Sequence, residues 1–189
     1  TAFLGPFFGI DFPLTIIQLL WINIIMDTLG AIAFGGEPAL MRYMDEDPVD
    51  RDEDIVTKSM FKGIMTSGLF VTFLSIFFLT YDPFRELFLR DGVQNEAVFL
   101  TAFFNLFIFM IVFNGFNVRT ESINIFDNLG QNIGFLQVMG LICVLQILFT
   151  YVGGAVLRTV ALNPQEWLII IGLSFLIVPV DMIRKAVFK

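Results

Sequence analysis

Trp21-Ile22-Asn23-Ile24-Ile25-Met26-Asp27-Thr28-Leu29-Gly30 places a carboxamide and a carboxylate in the middle of an apolar run from Leu14 to Phe34. At 1.5 Å of rise per residue the run makes a helix roughly 31 Å long, about the thickness of a bilayer's hydrocarbon core, so Asp27 is expected well inside it. A carboxylate there costs ~2.5–3.5 kcal/mol on insertion scales and marks a place where charge is held or moved. Asn23 and Asp27 stand at i and i+4, share one helix face, and can turn their side-chain oxygens to a common point. Hard cations bind oxygen, and calcium takes about six to eight such ligands, so the pair reads as part of a membrane cation site. Turned toward a neighbouring span, the same pair would instead serve as hydrogen-bonding glue between helices.

The rest of the chain has the composition of a membrane protein. Hydrophobic residues make up 57% of it and 24 of the 189 residues are phenylalanine, more than a soluble domain of this size can bury. The net charge of −7 says little about partners, because eight of the 18 acids fall in one loop: Glu37, Asp45, Glu46, Asp47, Asp50, Asp52, Glu53 and Asp54. Nothing in the pattern suggests nucleic-acid binding. Cys143 is the single cysteine and lies in an apolar segment, which excludes a disulfide framework and a thiolate metal centre. Histidine is absent, and there is no Gly-rich phosphate cradle and no nucleophile triad, so no catalytic residue is assigned.

Apolar runs separated by polar segments predict an all-α bundle of five transmembrane helices, at about 14–34, 60–81, 97–118, 133–152 and 167–187, forming a single membrane domain over 1–189. Thr1 to Ile10 is apolar but too short to span and reads as the end of a sixth, preceding helix. Gly35-Gly36-Glu37-Pro38 ends the first span, and Pro179 interrupts the fifth. Asp82 to Gln94 is too polar for the membrane and is expected as a short interfacial helix. Lysine and arginine set the orientation. Arg42, Arg51, Lys58, Lys62, Arg119, Arg184, Lys185 and Lys189 fall on one side, against Arg85, Arg90 and Arg158 on the other, so the first side, with the C-terminus, is expected to be cytoplasmic.

The remaining polar side chains in the spans have structural readings beside the functional one. Asp181 has Arg184 and Lys185 at i+3 and i+4, the spacing of a surface ion pair. Gln137 and Gln146 suit hydrogen bonds between helices. Asn105 and Asn114 are separated by about 900° of helical turn and occupy opposite sides of their span, so at most one of them can face the site.

A resemblance enters at the opening stretch. Leu14 to Thr28, with its Asn-x-x-Met-Asp-Thr string after Trp21, followed by Glu37-Pro38, resembles the sixth membrane helix of P-type calcium ATPases, and is most similar to the plasma-membrane type. The similarity continues through Phe104-Asn105, Phe113-Asn114, Asn117, Arg119, Asn124-Ile125-Phe126-Asp127, Gly153-Gly154 and Gln165-Glu166-Trp167, all within that family's C-terminal membrane domain. It implies that Asn23 and Asp27 ligate transported calcium, with Asn114 a candidate ligand or neighbour of one. Pumps of the family that carry two calcium ions have a threonine where Met26 stands and an acid where Ile111 stands. The resemblance therefore implies one calcium per cycle, since a thioether suits a hard cation poorly and isoleucine offers no oxygen.

It further implies that the loop of Glu37, Arg42 and Arg51 lies against the phosphorylation domain and couples ion binding to it. ATP and Mg2+ would act only through domains absent from these residues, which contain no aspartyl-phosphate motif. The expected partners are the bilayer and the pump's N-terminal helices and cytoplasmic domains, in a plasma or inner cell membrane, and the chain alone should not hydrolyse ATP. A fragment of a secondary cation exchanger is the alternative, distinguishable by an inverted repeat.

Overall fold

The computed structural model describes residues 13–36, 56–90 and 92–187. Five helical stretches among them are long and apolar enough to cross a membrane: Ile16–Gly35, Lys58–Thr80, Glu96–Arg119, Ile133–Val152 and Pro164–Val187. The first is α1 (Ile16–Asn23), a π-helical segment (Ile24–Gly30) and α2 (Ala31–Gly35) in continuous succession. The second is α3 (Lys58–Thr80), followed by the short α4 (Asp82–Glu86) and an antiparallel hairpin of β1 (Leu89–Arg90) and β2 (Val93–Gln94). The interfacial helix expected over Asp82 to Gln94 is thus confined to Asp82–Glu86, and beyond it Leu89–Arg90 and Val93–Gln94 pair as strands. The third is α5 (Glu96–Arg119); the fourth, α6 (Ile133–Val152), leads into α7 (Gly154–Leu157); the fifth is α8 (Pro164–Phe175) and α9 (Ile177–Val187). The preceding helix expected over Thr1 to Ile10 lies outside the described residues.

Every span starts on a polar cap. A helix leaves its first four N–H groups unbonded, and the membrane has no water to take them. Thr15 Oγ1 accepts from Gln18 N at 3.2 Å while Gln18 Oε1 accepts from Thr15 N at 2.8 Å, a reciprocal box. Thr57, Asn95 and Asn132 accept in the same way from Met60, Val98 and Phe135. Asn163 and Glu166 box the start of α8, where Pro164 lacks the N–H the first turn would leave unpaired. The fifth span therefore begins three residues earlier than its apolar run. Its break at Leu176 follows from Pro179, which cannot bond to the carbonyl four residues back and whose ring pushes that carbonyl, Phe175, away.

α5 is the axis of the bundle: 67% of its most apolar 18-residue stretch is buried, against 24–33% of the corresponding stretches of the other four spans. Such burial requires a helix apolar all round. One side of α5 packs Phe99, Phe103 and Leu106 with Phe78 and Phe88 and with Ile170 of α8. The opposite side packs Phe104, Ile108 and Val112 with Ile22 and Ile25 of the first span and Phe135, Met139 and Ile142 of α6. Gly115 permits that second approach, since a Cβ there would stand 3.0 Å from Met139 Cε. The outer helices leave large apolar side chains such as Phe73 and Leu168 exposed, which suits lipid as solvent.

Ion pairs tie each end of the bundle. At one end Arg90 Nη2 reaches Glu166 Oε2 at 3.0 Å and donates to Ala161 O, so the loops holding Arg85, Arg90 and Arg158 share that end. At the other, Lys185 Nζ donates to Asn117 O at 2.7 Å, one of the carbonyls left open at the end of α5. Asp181 faces Arg184 Nε at 2.6 Å and Lys185 Nζ at 2.9 Å, the latter at an angle that makes it an ion pair and not a hydrogen bond. This corrects the surface ion pair expected from spacing: Asp181 is 3% exposed and Lys185 7%, because the end of α5 covers them.

Candidate cation site

The first span turns Ile22 and Ile25 into the bundle, 5% and 2% exposed, and leaves Asn23 and Asp27 exposed on the side away from it. No described residue gives either side chain a hydrogen bond or an ion pair. Asn23 is the last α-helical residue and Asp27 lies within the π-helical segment Ile24–Gly30. There the backbone bonds reach five residues instead of four, which widens the turn and keeps residues four apart close to one line. The two ligand candidates thus remain on a shared face. Single wide turns of this kind are frequent at functional sites, and nothing in the sequence marks this one.

Among the described residues no three of His, Cys, Asp and Glu come together as a metal cluster. The side-chain oxygens of Asn23 and Asp27 alone fall short of the six to eight or so that calcium takes. Ile111 packs against the apolar cluster of α5, α6 and the first span, so α5 supplies no oxygen from that position.

Asn114 opens elsewhere. It lines a cavity of about 860 Å³ between α3, α5 and α9, together with Ser67, Asn117 and Arg184, and neither Asn23 nor Asp27 is part of that lining. Its Oδ1 is buried without a hydrogen bond, as is Asn117 Oδ1. Asn105 faces the other way, toward α6, as the half-turn offset between the two asparagines requires. Gln146 of α6 makes the expected bond between helices, donating to Asn105 Oδ1 at 2.9 Å. Gln137 was expected in the same role but is exposed, because its face of α6 points away from α5. Trp21, Thr101 and Thr150 also join the Asn105 network, and the sequence reading did not single them out. One signal was available: a Trp N–H inside a bilayer needs an acceptor. Glu37, Arg42 and Arg51 lie outside the described residues.

Residues 11–187 match the family described as cation transporting ATPase, C-terminus. The chain is 36% identical over 179 residues to "Calcium-transporting ATPase 10, plasma membrane-type" of Arabidopsis thaliana, covering 94% of this chain and 17% of that protein. It is 38% identical over 178 residues to "Calcium-transporting ATPase 4, plasma membrane-type" of the same plant, with the same coverage of each. To "Calcium-transporting ATPase 1, plasma membrane-type" of Oryza sativa subsp. japonica it is 34% identical over 189 residues, 99% of this chain and 17% of the relative. The chain thus spans about a sixth of the length of the curated relatives it matches.

Proposed function

Because the chain belongs to the cation transporting ATPase C-terminus family, we propose that it is the C-terminal membrane domain of an ATP-driven calcium pump of the plasma-membrane type. In this reading Asn23 and Asp27 contribute part of the intramembrane calcium site, and the pump's other membrane helices cover the exposed face of the first span and complete the ligand shell. The observation that carries it is Asp27: a carboxylate inside a membrane span, pointing out of the bundle, with no partner among the described residues. A charge so placed is too costly to persist without a counter-charge, and a dehydrated cation supplies one. Family membership favours the pump over the exchanger.

One calcium is carried per cycle, because Met26 and Ile111 offer no hard oxygen for a second. ATP and Mg2+ act through the cytoplasmic domains, with Glu37, Arg42 and Arg51 in the loop that meets them. The C-terminus is cytoplasmic, as the excess of lysine and arginine at that end of the bundle favours.

Asp27→Asn in the complete pump tests the site. The substitution keeps size and removes charge, so calcium-activated phosphorylation from ATP is lost. Phosphorylation from inorganic phosphate, which reports the empty site, persists. Normal calcium activation in this variant would mean that Asp27 is not a ligand.

A further inference from the structure

The side chains that anchor the first span lie close to its ligands. Gln18 Nε2 donates to Leu157 O at 2.9 Å, and Trp21 Nε1 donates to Gln146 Oε1 at 3.0 Å. Gln146 is fully buried and passes the bond on, its Nε2 donating to Asn105 Oδ1 at 2.9 Å. Thr150 Oγ1 donates to the same Asn105 oxygen at 2.9 Å, and Asn105 Nδ2 donates to Thr101 O at 2.9 Å. The relay has one direction, because an indole N–H can only donate. Reversing the Gln146 amide would set N–H against N–H at Trp21 and oxygen against oxygen at Asn105. The Trp21 ring is also held edge-on to Phe149, with centroids 4.7 Å apart.

The last residue of this relay on the first span is two positions before Asn23, and the widened π-helical turn with Asp27 begins directly after Asn23. Apolar contacts at Ile22 and Ile25 tolerate small rotations of the helix, whereas a hydrogen bond 3.0 Å long with one allowed polarity does not. We propose that Trp21, Gln146 and Asn105 are positioning residues for the cation site: they fix the rotation of the first span against α5 and α6, and so the direction in which Asn23 and Asp27 present their oxygens. This rests on the calcium-site reading above.

The test uses the complete pump with Trp21→Phe, which keeps the ring and its contact with Phe149 but removes the donor, and with Gln146→Met, which keeps length and removes the amide. Calcium is titrated against phosphorylation from ATP. Each variant should raise the half-saturating calcium concentration about three- to tenfold, the net worth of one hydrogen bond. The maximal phosphoenzyme level, and phosphorylation from inorganic phosphate without calcium, should stay at wild-type values. The double variant should shift the titration no further than the stronger single one, since both cut the same relay. Wild-type titrations, a lowered maximum at an unchanged midpoint, or additive shifts would overturn the proposal. Asp27→Asn run alongside separates the two levels. Retained calcium activation there sinks the site itself, whereas its loss with an unshifted Trp21→Phe titration sinks only the positioning role. Should Trp21→Phe fail to reach the membrane, Gln146→Met carries the same comparison.

Discussion

Asp181→Asn should destabilise the bundle more than Lys185→Met, although the two residues belong to one ion cluster. Among the described residues Asp181 is the only acid paired with two cations, Arg184 at 2.6 Å and Lys185 at 2.9 Å. Neutralising it leaves the Lys185 ammonium, whose side chain is 5% exposed, without a counter-charge. Stranding a buried charge costs about 3–5 kcal/mol. Lys185→Met leaves Asp181 paired with Arg184 and forfeits chiefly the charged hydrogen bond to Asn117 O, about 1.5–3 kcal/mol. The double variant removes the stranded ammonium as well as the acid, so it should be more stable than Asp181→Asn alone. Heating a detergent-solubilised fluorescent fusion and measuring the surviving monodisperse peak gives the order of melting temperatures. The order should be wild type, Lys185→Met, the double variant, then Asp181→Asn. If Lys185→Met melts lowest, or the double variant melts below Asp181→Asn, the buried cluster is not the anchor described.

Three further outcomes follow from the geometry. Cysteine at Asn124 should react with impermeant reagents only from the cytoplasmic side and cysteine at Gly92 only from outside; the reverse pattern would overturn the orientation. Gly115→Ala needs only the flexible end of Met139 to yield and should cost under about 1 kcal/mol, whereas Gly115→Leu overpacks the contact between α5 and α6 and should cost about 1–3 kcal/mol in the same melting assay. Neutralising Arg42 and Arg51 in the complete pump should lower calcium-dependent ATPase turnover at unchanged expression, and unchanged turnover would reduce their loop to a solvated turn.

The spans were legible because membrane length and polarity leave few choices, but their starts are set by Thr15, Thr57, Asn95, Asn132 and Asn163, caps that the apolar runs alone did not pick out, as the earlier start of α8 at Pro164 shows. Pro179 announced a break, but the break falls at Leu176, since a proline disturbs the carbonyl four residues behind it. Burial of charge was not legible. Asp181, Arg184 and Lys185 have the spacing of any exposed helical ion cluster, and only the end of α5, some 65 residues away in sequence, makes them interior. The relay from Trp21 to Asn105 was hidden for the same reason, its members lying 125 and 41 residues apart. Asn23 and Asp27 were readable as a pair because their spacing is local, whereas the face they take depends on how Ile22 and Ile25 pack.

Equilibrium binding of radioactive calcium to the purified complete pump, with and without Asp27→Asn, shows whether Asp27 holds a single calcium ion. Asp27 is the one described carboxylate in the first span, and neither Met26 nor Ile111 carries a side-chain oxygen. The wild-type pump should bind one calcium per molecule, Met26→Thr should still bind one, and Asp27→Asn should bind none at concentrations that saturate the wild type. Two ions bound by the wild type, or one retained by Asp27→Asn, would contradict a single-calcium site at Asp27.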